Sequence, residues 1–428
     1  MLYSGDPYLQ NQARLIIERS GAFLNPVNGQ LPHHFNGLEA YYLALSGETQ
    51  TGPNTFWVKT ALLYAKTSGD LTWLANYMPT LRNASSFVFD LIDPQMNMVF
   101  APGSLMIDVF IRNNYTSDSN AMVVSFLKDF AEAERAVGNA TRATELEATA
   151  VAVSDAMNKY LWASAEGSGN DHFITQLNAA DGSTRDFVDY DSNLIAVANG
   201  VTDEARSRAV FKRVDGGQCS AAGGAGPQFV SEKYYGEDDT TNGNTGDSWC
   251  SMGRIAYFDA HARKRLGSVD DLSYFNEKLL QPIQRDLIAN TFMHERYGCD
   301  GLQQQNRSYT YFEYPATVTI LLRDIRYGIK LGLSQVEVSP FGVTDFSYQM
   351  GNVNVAYSPS LFSISAPGTG MRQYSVTGMN KGHSFSITVA PECDNTISVS
   401  NAISSDTGVL TFNAPIGLAP CVITATAL

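Results

Sequence analysis

Paired amphipathic stretches, each pair separated by a short break that contains glycine, dominate the first 330 residues of the chain. In residues 118 to 137, apolar side chains recur at spacings of three and four, which predicts a helix with one buried face. Gly138 and Asn139 then end this helix, because glycine tolerates the left-handed position after a helix and asparagine caps the next one. A second apolar face runs on to Leu161 and Trp162, so the sequence predicts a helical hairpin here.

The same arrangement recurs elsewhere in this part of the chain. One pair of helices is predicted between residues 52 and 90, broken at Gly69, and another between 247 and 289, broken at Gly267. Further helices are predicted at 8 to 20, 36 to 46, 189 to 199, 203 to 213 and 309 to 330. About eleven helices in successive hairpins are typical of a mainly α toroid, with inner helices surrounded by outer ones.

The pattern changes near Gly332. Beyond it, Val, Thr, Ser, Tyr and Phe alternate with polar residues in short runs that end at turn residues, as β-strands do. The clearest runs are at 336 to 338, 352 to 357, 384 to 389 and 421 to 426. We therefore expect a helical domain over residues 1–332 and a small C-terminal β-sandwich over 333–428, packed closely because no low-complexity linker separates them.

Composition and charge exclude several classes of partner. Asp and Glu number 43 against 29 Lys and Arg, a net charge of −14, so we predict no nucleic-acid partner. No apolar run reaches the length of a membrane span. The 21 Tyr and 22 Phe residues suit clefts that stack sugar rings, although a rich aromatic core would use them equally well. The oligomeric state is left open.

The five cysteines fit no metal-ligand spacing, and no metal or other cofactor is predicted. Cys393 and Cys421 both fall in the C-terminal part and could pair, which leaves at least one thiol over. Glycosylation motifs occur at four asparagines, which favours a secreted or extracytoplasmic location even though Met1-Leu-Tyr-Ser-Gly-Asp does not begin a signal peptide. These asparagines are Asn83, Asn114, Asn139 and Asn306.

The sequence contains no G-x-S-x-G, H-E-x-x-H, P-loop or strand-associated G-x-G-x-x-G motif, which excludes the commonest hydrolase, metalloprotease and nucleotide-binding classes. What remains is acidic residues in aromatic, glycine-rich loops between helices. Two acidic segments, 189–193 and 236–246, are candidates for calcium sites. The twelfth position from Asp238 is Trp249 and not Glu, so solvated loops are favoured.

Asp108 is the most unusual of the loop acids, since it lies among Leu105, Met106, Ile107, Val109, Phe110 and Ile111. Glycoside hydrolysis needs one carboxyl that stays protonated and one that is ionised. An apolar surrounding disfavours the ionised form and suits Asp108 to the first role. Arg112 would oppose this if it paired with Asp108, and a purely local ion pair is the structural alternative.

Three further acids are candidates. Glu295 follows a predicted helix and could be the ionised partner, or it could be a solvated acid paired with Arg296. Glu313, between aromatic residues, competes for the same role. Asp247 is expected to cap the helix that begins near it, in a position where it could also bind a sugar hydroxyl.

In order, these features resemble the six-hairpin glycosidases, in particular trehalases and the oligosaccharide-processing α-glucosidases of glycoside hydrolase family 63. The match runs loosely over residues 50 to 330. In those families an E-S-G-W-D-x-S-x-R loop carries the general acid, and Asp108 and Arg112 keep its Asp-to-Arg spacing. The elements that correspond further along are Asp118-Ser-Asn120, Leu161-Trp162, Gly226-Pro227, Gly246-Asp247-Ser-Trp249 and Glu295-Arg-Tyr297. The Glu that begins the acid loop is missing, and the Trp-Asp order near 247 is inverted.

This resemblance implies an (α/α)6 barrel that acts as an inverting, exo-acting glycoside hydrolase on an oligosaccharide or glycoside. Asp108 would be the acid and Glu295 the base. The side chains expected to hold the sugar are Arg112, Trp57, Asp247, Trp249, Tyr311 and Glu313.

Other activities stay open. A phosphorylase on the same barrel would need a basic phosphate pocket in place of the base. A polysaccharide lyase would use a Tyr or His, and His33, His34 and Tyr115 are available. A carbohydrate-binding protein with a degenerate site is the alternative from outside the enzymes.

Overall fold

The computed structural model describes residues 1–44, 46–163, 170–217, 228–243, 245–289, 293–303, 310–394, 398–419 and 421–428. The helices of the first part begin with α1 (Pro7–Gly21), α2 (Gly52–Ser68), α3 (Leu71–Phe89), α4 (Ser117–Ala136) and α5 (Ala140–Tyr160). They continue with α6 (Tyr190–Ala198), α7 (Glu204–Asp215), α8 (Gly253–Leu266), α9 (Val269–Tyr274), α10 (Gln281–Ala289) and α11 (Glu313–Ile320). The predicted hairpins are confirmed.

The glycine and asparagine signals mark the breaks as predicted. Gly69, with a φ of 71°, ends α2, and the Asp70 side chain accepts from the backbone N–H of Trp73 to cap α3. Between α4 and α5, the Asn139 side chain caps in the same way by accepting from Arg142 N. A side-chain oxygen that takes up one of the unbonded N–H groups of the first turn fixes where each helix begins.

The helices fall into two groups by burial. The first helices of four hairpins, α2, α4, α6 and α8, pack side by side in chain order with α11 after them, and α3, α5 and α7 pack against α2, α4 and α6. Every residue of α6 from Tyr190 to Val197 is buried, whereas α5 buries only one face. A helix that is buried all round lies in the interior. We call α6, together with α2, α4, α8 and α11, which pack in one row with it, the inner helices.

One predicted helix is wrong. The described residues between 36 and 46 form no helix; instead, strands β1 (His34–Asn36) and β2 (Glu39–Tyr41) pair as an antiparallel hairpin around Gly37, whose φ is 65°. Over so short a run, the spacing of Leu38, Tyr41 and Leu45 fits a helical period, but the tight turn determines the local structure.

Two segments are π-helical: Phe275–Leu280 lies between α9 and α10, and Leu321–Arg326 follows α11.

Short strands pair in the loops that precede the inner helices. They are β3 (Ile92–Asp93) with β4 (Met98–Val99), β5 (Tyr115–Thr116) with β6 (Gln176–Leu177) and β7 (Thr184–Arg185), and β8 (Ser251–Met252) with β9 (Arg296–Tyr297). The β5–β6 and β8–β9 pairings join loops that are far apart in the sequence, whereas β3–β4 and β6–β7 are local hairpins.

The C-terminal part contains two sheets. One has the order β10 (Ile329–Leu331), β11 (Gln335–Val338), β15 (Met371–Val376), β18 (Leu410–Pro415). The other has the order β12 (Phe346–Met350), β13 (Val353–Ser358), β14 (Leu361–Ser365), β19 (Ile423–Ala427), β16 (Ser384–Val389), β17 (Ser398–Ile403). The four predicted strands are present, and buried side chains from both sheets form one cluster. Because β10 precedes residue 332, the expected domain boundary stays a prediction.

The sulfur atoms of Cys393 and Cys421 form a disulfide, as their location allowed. Contacts also join the two parts of the chain: the backbone N–H of Leu333 donates to Glu132 on α4 over 2.6 Å. In the part of the chain that the structure describes, no helix is long and apolar enough to cross a membrane.

Candidate active site

Buried asparagines fix the loops that lead into three inner helices. Asn120, the fourth residue of α4, accepts from Val99 N over 2.7 Å and donates back to Val99 O over 3.1 Å. Asn193, the fourth residue of α6, makes the same two bonds with Phe173, again at 2.7 and 3.1 Å. Asn54 in α2 accepts from Leu31 N over 2.8 Å. We call these residues the asparagine clamps, and they hold each incoming loop at the beginning of its inner helix.

The loop with Asp108, residues 103 to 112, is anchored on both sides. Leu105 N donates to Asp118 over 3.1 Å, and Gln50 donates to Ser104, whose hydroxyl donates to Ile107 O. Its backbone also approaches α2 so closely that a Cβ on Gly52 would lie 1.9 Å from Leu105 O. Only glycine allows this approach, so the beginning of α2 positions the loop.

Asp108 itself lies at the surface of this loop, with its side chain 27% exposed. The apolar neighbours Ile107, Val109 and Phe110 are buried and carry the loop on the core. The nearest basic group is His33, whose Nε2 is 3.7 Å from Asp108 Oδ2. Burial lowers the pKa of His33, while Asp108 acts in the opposite direction. The imidazole is therefore neutral at neutral pH and does not provide a fixed positive charge beside Asp108.

Arg112 does not pair with Asp108. Its side chain is 1% exposed, Nη1 lies 2.9 Å from Asp191 Oδ2 and Nη2 lies 3.1 Å from Asp189 Oδ1. Nε donates to the Tyr235 hydroxyl over 3.0 Å, and Nη1 is 3.4 Å from Asp118. These partners use the whole donor fork of the guanidinium. Arg112 is thus a positioning residue of the interior, and the expectation that it contacts a sugar is not supported.

Asp189 and Asp191, two of the candidate calcium ligands, instead belong to this Arg112 cluster. Burial raises the pKa of Asp189 to about 7, with Arg112 opposing and the nearby Asp191 adding to the rise. Asp191 and Asp118 occupy equivalent second positions in α6 and α4, each followed by Ser and the clamp asparagine. This repeated Asp-Ser-Asn was a signal in the sequence for a shared binding partner, and sequence reasoning missed it.

Arg254, at the beginning of α8, was not predicted and joins several of the predicted residues. Its Nη2 donates to Glu313 Oε2 over 2.7 Å, and its Nη1 donates to Met106 O in the Asp108 loop over 3.0 Å. Burial alone would lower the pKa of Arg254, but the Glu313 carboxylate raises it above its ordinary value. Arg254 therefore connects the Asp108 loop to the beginning of α11.

Glu295 and Tyr311 lie close enough to Arg254 for their charges to interact. Burial raises the pKa of Tyr311, Arg254 lowers it, and the negative charges of Glu313 and Glu295 raise it further. The Glu295 side chain is 15% exposed, and its closest ion-pair partner among the described residues is Arg296, at 3.5 Å. Glu295 is thus held less tightly than Glu313, both of whose oxygens accept from Arg254.

Asp247 does not cap a long helix, since α8 begins at Gly253. It lies in a short 3₁₀ turn, Thr245–Trp249, where it is 1% exposed and forms an ion pair with Arg296. Arg296 therefore lies between two predicted residues, Asp247 and Glu295.

Trp249 and Trp57 differ in exposure. Trp249 is 40% exposed and meets the Tyr234 ring edge-on, with ring centroids 5.1 Å apart. Such a surface can receive a sugar face. Trp57 on α2 is largely buried, with Nε1 donating to Ile17 O over 3.2 Å, and it lines a cavity between the inner helices, so its predicted role in holding sugar stays a prediction. Gly226 and Pro227 lie outside the described residues.

Among the described residues, no group of His, Cys, Asp and Glu is arranged to hold a metal ion. The predicted residues that the structure brings together are carboxylates, a tyrosine and their arginine partners. Glu295, Tyr311 and Glu313 lie near Arg254, whose Nη1 also donates to Met106 O in the Asp108 loop.

Comparison with solved structures identifies the type of fold. No family model and no curated protein sequence matches the chain. Among solved structures, a GH63 mannosylglycerate hydrolase from Thermus thermophilus matches 75% of this chain and 90% of its own, with 9% identity and a TM-score of 0.53. The chain has a six-hairpin glycosidase-type fold.

Two rhamnosidases have the same type of fold. The GH78 family rhamnosidase of Bacillus sp. GL1 matches 74% of this chain at 15% identity, with a TM-score of 0.52. The α-L-rhamnosidase from Dictyoglumus thermophilum matches 99% of this chain at 12% identity, also with a TM-score of 0.52. This chain spans 31% and 46% of the lengths of those two enzymes.

Proposed function

We propose that this chain is a glycoside hydrolase in which Asp108 is the general acid and Glu295 the general base. The observation that carries the proposal is the position of Arg112, whose donors are all directed to Asp118, Asp189, Asp191 and Tyr235. Asp108 is thus left beside the neutral imidazole of His33. The Asp108 carboxyl therefore has no guanidinium partner among the described residues, and its partly exposed side chain is available to contact a glycosidic oxygen.

The proposed reaction uses these two carboxyl groups. Asp108 would transfer its proton to the leaving oxygen as the glycosidic bond breaks. Glu295 would remove a proton from a water molecule that attacks the anomeric carbon from the opposite face, which inverts the anomeric configuration. Glu313 is less suited to be the base, because the donors of Arg254 occupy both of its oxygens. We assign Glu313 to holding Arg254, and Arg254 to holding the Asp108 loop against the beginning of α11.

The finer architecture is part of the same proposal. We infer that the inner helices curve into a toroid of the (α/α)6 type, since each packs on the next in chain order. The two C-terminal sheets, which share one apolar core, would form a β-sandwich. The exo-acting mode stays part of this proposal; the cavity of about 960 Å³ among the inner helices, which His33, Arg254 and Glu313 line, offers space for a sugar.

Substrate and location are proposals of the same kind. The names of the structural neighbours direct the search to α-L-rhamnosides and to mannosylglycerate. Trp249 and Tyr234 would form an aromatic platform for the sugar. The Cys393 to Cys421 disulfide favours an oxidising, extracytoplasmic environment.

The test compares Asp108→Asn and Glu295→Gln with wild type on aryl rhamnosides, mannosides and glucosides with good and poor leaving groups. We expect each variant to lose roughly 10²–10⁴-fold in kcat on a poor leaving group. Asp108→Asn should keep much more activity on dinitrophenyl glycosides, because such a leaving group needs no proton. The exposed Glu145→Gln variant is the matched control and should behave as wild type.

Proton NMR of the first product formed reports the anomer and tests inversion. Equal losses of Asp108→Asn activity on both leaving groups would remove Asp108 as the acid. A wild-type protein that binds glycosides without cleaving any of them would favour the carbohydrate-binding alternative.

A further inference from the structure

The cavity between the inner helices continues beyond the candidate active site. Arg254, Glu313 and His33 line it near the first turns of the inner helices, and His261, Arg323 and Lys330 line it further along. Glu313 and Arg323 are ten residues apart on one helical segment, which corresponds to roughly 15 Å at the rise of a helix. The far end of the cavity is therefore separate from the proposed chemistry.

Arg323 is a buried cation with few partners. Its side chain is 3% exposed, and the only ion pair it makes with the described residues is a 3.9 Å approach of Nε to Asp324. Its guanidinium carbon lies 4.2 Å from the centre of the Tyr3 ring, and Nε has no hydrogen-bond acceptor in the described part of the chain. A buried charge without good partners is costly, so an arginine in this setting points to a ligand.

Asp324 does not compensate fully for this charge, because it has other partners. Its Oδ2 accepts from the Tyr3 hydroxyl over 2.8 Å, and its backbone carbonyl accepts from Lys264 Nζ over 2.7 Å. Arg323 and Asp324 both lie in the π-helical turns that follow α11, an irregularity that often occurs at functional sites.

Further cationic and basic groups surround the same place. Burial, followed by the charge of Lys330, lowers the pKa of Lys264 to about 7. Burial, followed by Lys330, Lys264 and Lys59, lowers the pKa of His261 to about 3. The His261 Nε2 atom is buried, with no hydrogen-bond partner among the described residues. Mutual repulsion of this kind indicates that positive charge is in excess here.

The lysines on the other wall of the cavity do not add to the excess. Lys66 lies 3.1 Å from Asp129 and 2.8 Å from Glu132, and Lys59 also pairs with Asp129. The excess is thus confined to Arg323, Lys264 and Lys330, opposed by Asp324 and, at Lys264, by Glu337.

We propose that Arg323, Lys264, Lys330 and His261 form a binding site for a small oxyanion at the far end of the cavity. A phosphate or carboxylate group would accept from the Arg323 guanidinium and the Lys264 ammonium, and His261 Nε2 would provide a further polar contact. The site lies too far along the helices for a bound phosphate to attack a sugar beside Asp108. It is therefore not the phosphate pocket of a phosphorylase.

The experiment measures binding to the full chain by isothermal titration calorimetry and by thermal unfolding, at constant ionic strength. Inorganic phosphate and a hexuronate are the two probes, because the oxyanion could be a free ion or the carboxylate of a sugar acid. We expect at least one of them to raise Tm in a saturable way. Arg323→Met should weaken that binding tenfold or more, whereas Arg135→Met, which removes an exposed arginine, should not.

Lys264→Gln is the second variant and should weaken binding even if Arg323→Met fails to fold. Phosphate binding alone would identify a free anion, and hexuronate binding alone would identify a sugar acid. No binding of either probe, or equal binding by the Arg323 and Arg135 variants, would overturn the proposal. Asp108→Asn should keep oxyanion binding, so failure of the hydrolase proposal and failure of this one are distinguishable.

Discussion

Two arginines, Arg112 and Arg254, each hold carboxylates at the beginning of inner helices, but they are used differently. Arg112 is enclosed, 1% exposed, and has three aspartates around it. Arg254 is 25% exposed, binds one glutamate, and keeps a backbone contact to the Asp108 loop. The fully enclosed Arg112 stabilises the fold, whereas the partly exposed Arg254, next to acids in loops, forms part of the candidate active site.

The largest effect is expected from Arg112→Met. This change would leave Asp118, Asp189 and Asp191 buried without their cation and should cost about 3–5 kcal/mol of unfolding free energy. Arg254→Met should cost less, about 1–3 kcal/mol, because Glu313 can be hydrated, yet it should lower kcat/KM more than tenfold. Urea unfolding and glycosidase assays of both variants test this. If Arg254→Met lost more unfolding free energy than Arg112→Met, this distinction between the two arginines would be wrong.

An effect of intermediate size is expected on how the free energy of unfolding depends on pH. Since the folded-state pKa of Asp189 is raised to about 7, the folded protein binds a proton that the unfolded chain releases near pH 4. The resulting stabilisation is present at low pH and is lost as pH rises through about 7. In Asp189→Asn the loss of stability between pH 4 and pH 8 should be smaller than in wild type, as measured by urea unfolding at each pH.

Asp259 is the matched comparison for this prediction, because burial raises its pKa to about 6. Asp259→Asn should also reduce the fall in unfolding free energy with rising pH, but over a lower pH range. If Asp189→Asn kept the wild-type slope, Asp189 would be ionised throughout, and the Arg112 cluster would carry a larger net negative charge than we infer.

The smallest effect on stability is expected from Trp249→Ala. The side chain is 40% exposed, so its removal should change the unfolding free energy by roughly 0.5 kcal/mol or less. KM for the glycoside should rise several-fold with kcat little changed, because a stacking surface binds substrate and transition state alike. Trp57→Ala, at a core position, should reverse the pattern by reducing stability by about 3–5 kcal/mol. Steady-state kinetics with thermal unfolding distinguishes the two tryptophans.

Local signals in the sequence predicted most of the helices. Gly69 and Asn139 lie at the breaks where the structure has them, since left-handed glycines and capping asparagines act within a few residues. The hairpin at 34–41 resembles a helix in sequence because a short apolar run fits the helical period as well as the two-residue period of a strand.

The candidate site was less predictable because its contacts span long sequence separations. The Asp108 to Arg112 spacing suggested a local pair, but Arg112 binds Asp191, 79 residues away. Arg254 reaches Met106, 148 residues away, and no local pattern marks that contact. Long-range ion pairs depend on how helices pack, which sequence spacing alone does not determine.

The asparagine clamps have a consequence for how such a barrel can change. Each clamp binds only main-chain atoms of the arriving segment, at Leu31, Val99 and Phe173. The side chains and the length of the intervening loops are therefore not constrained by the anchor points. Loops can therefore be exchanged between these fixed junctions. Substrate preference can then change while the helices that stabilise the fold stay the same.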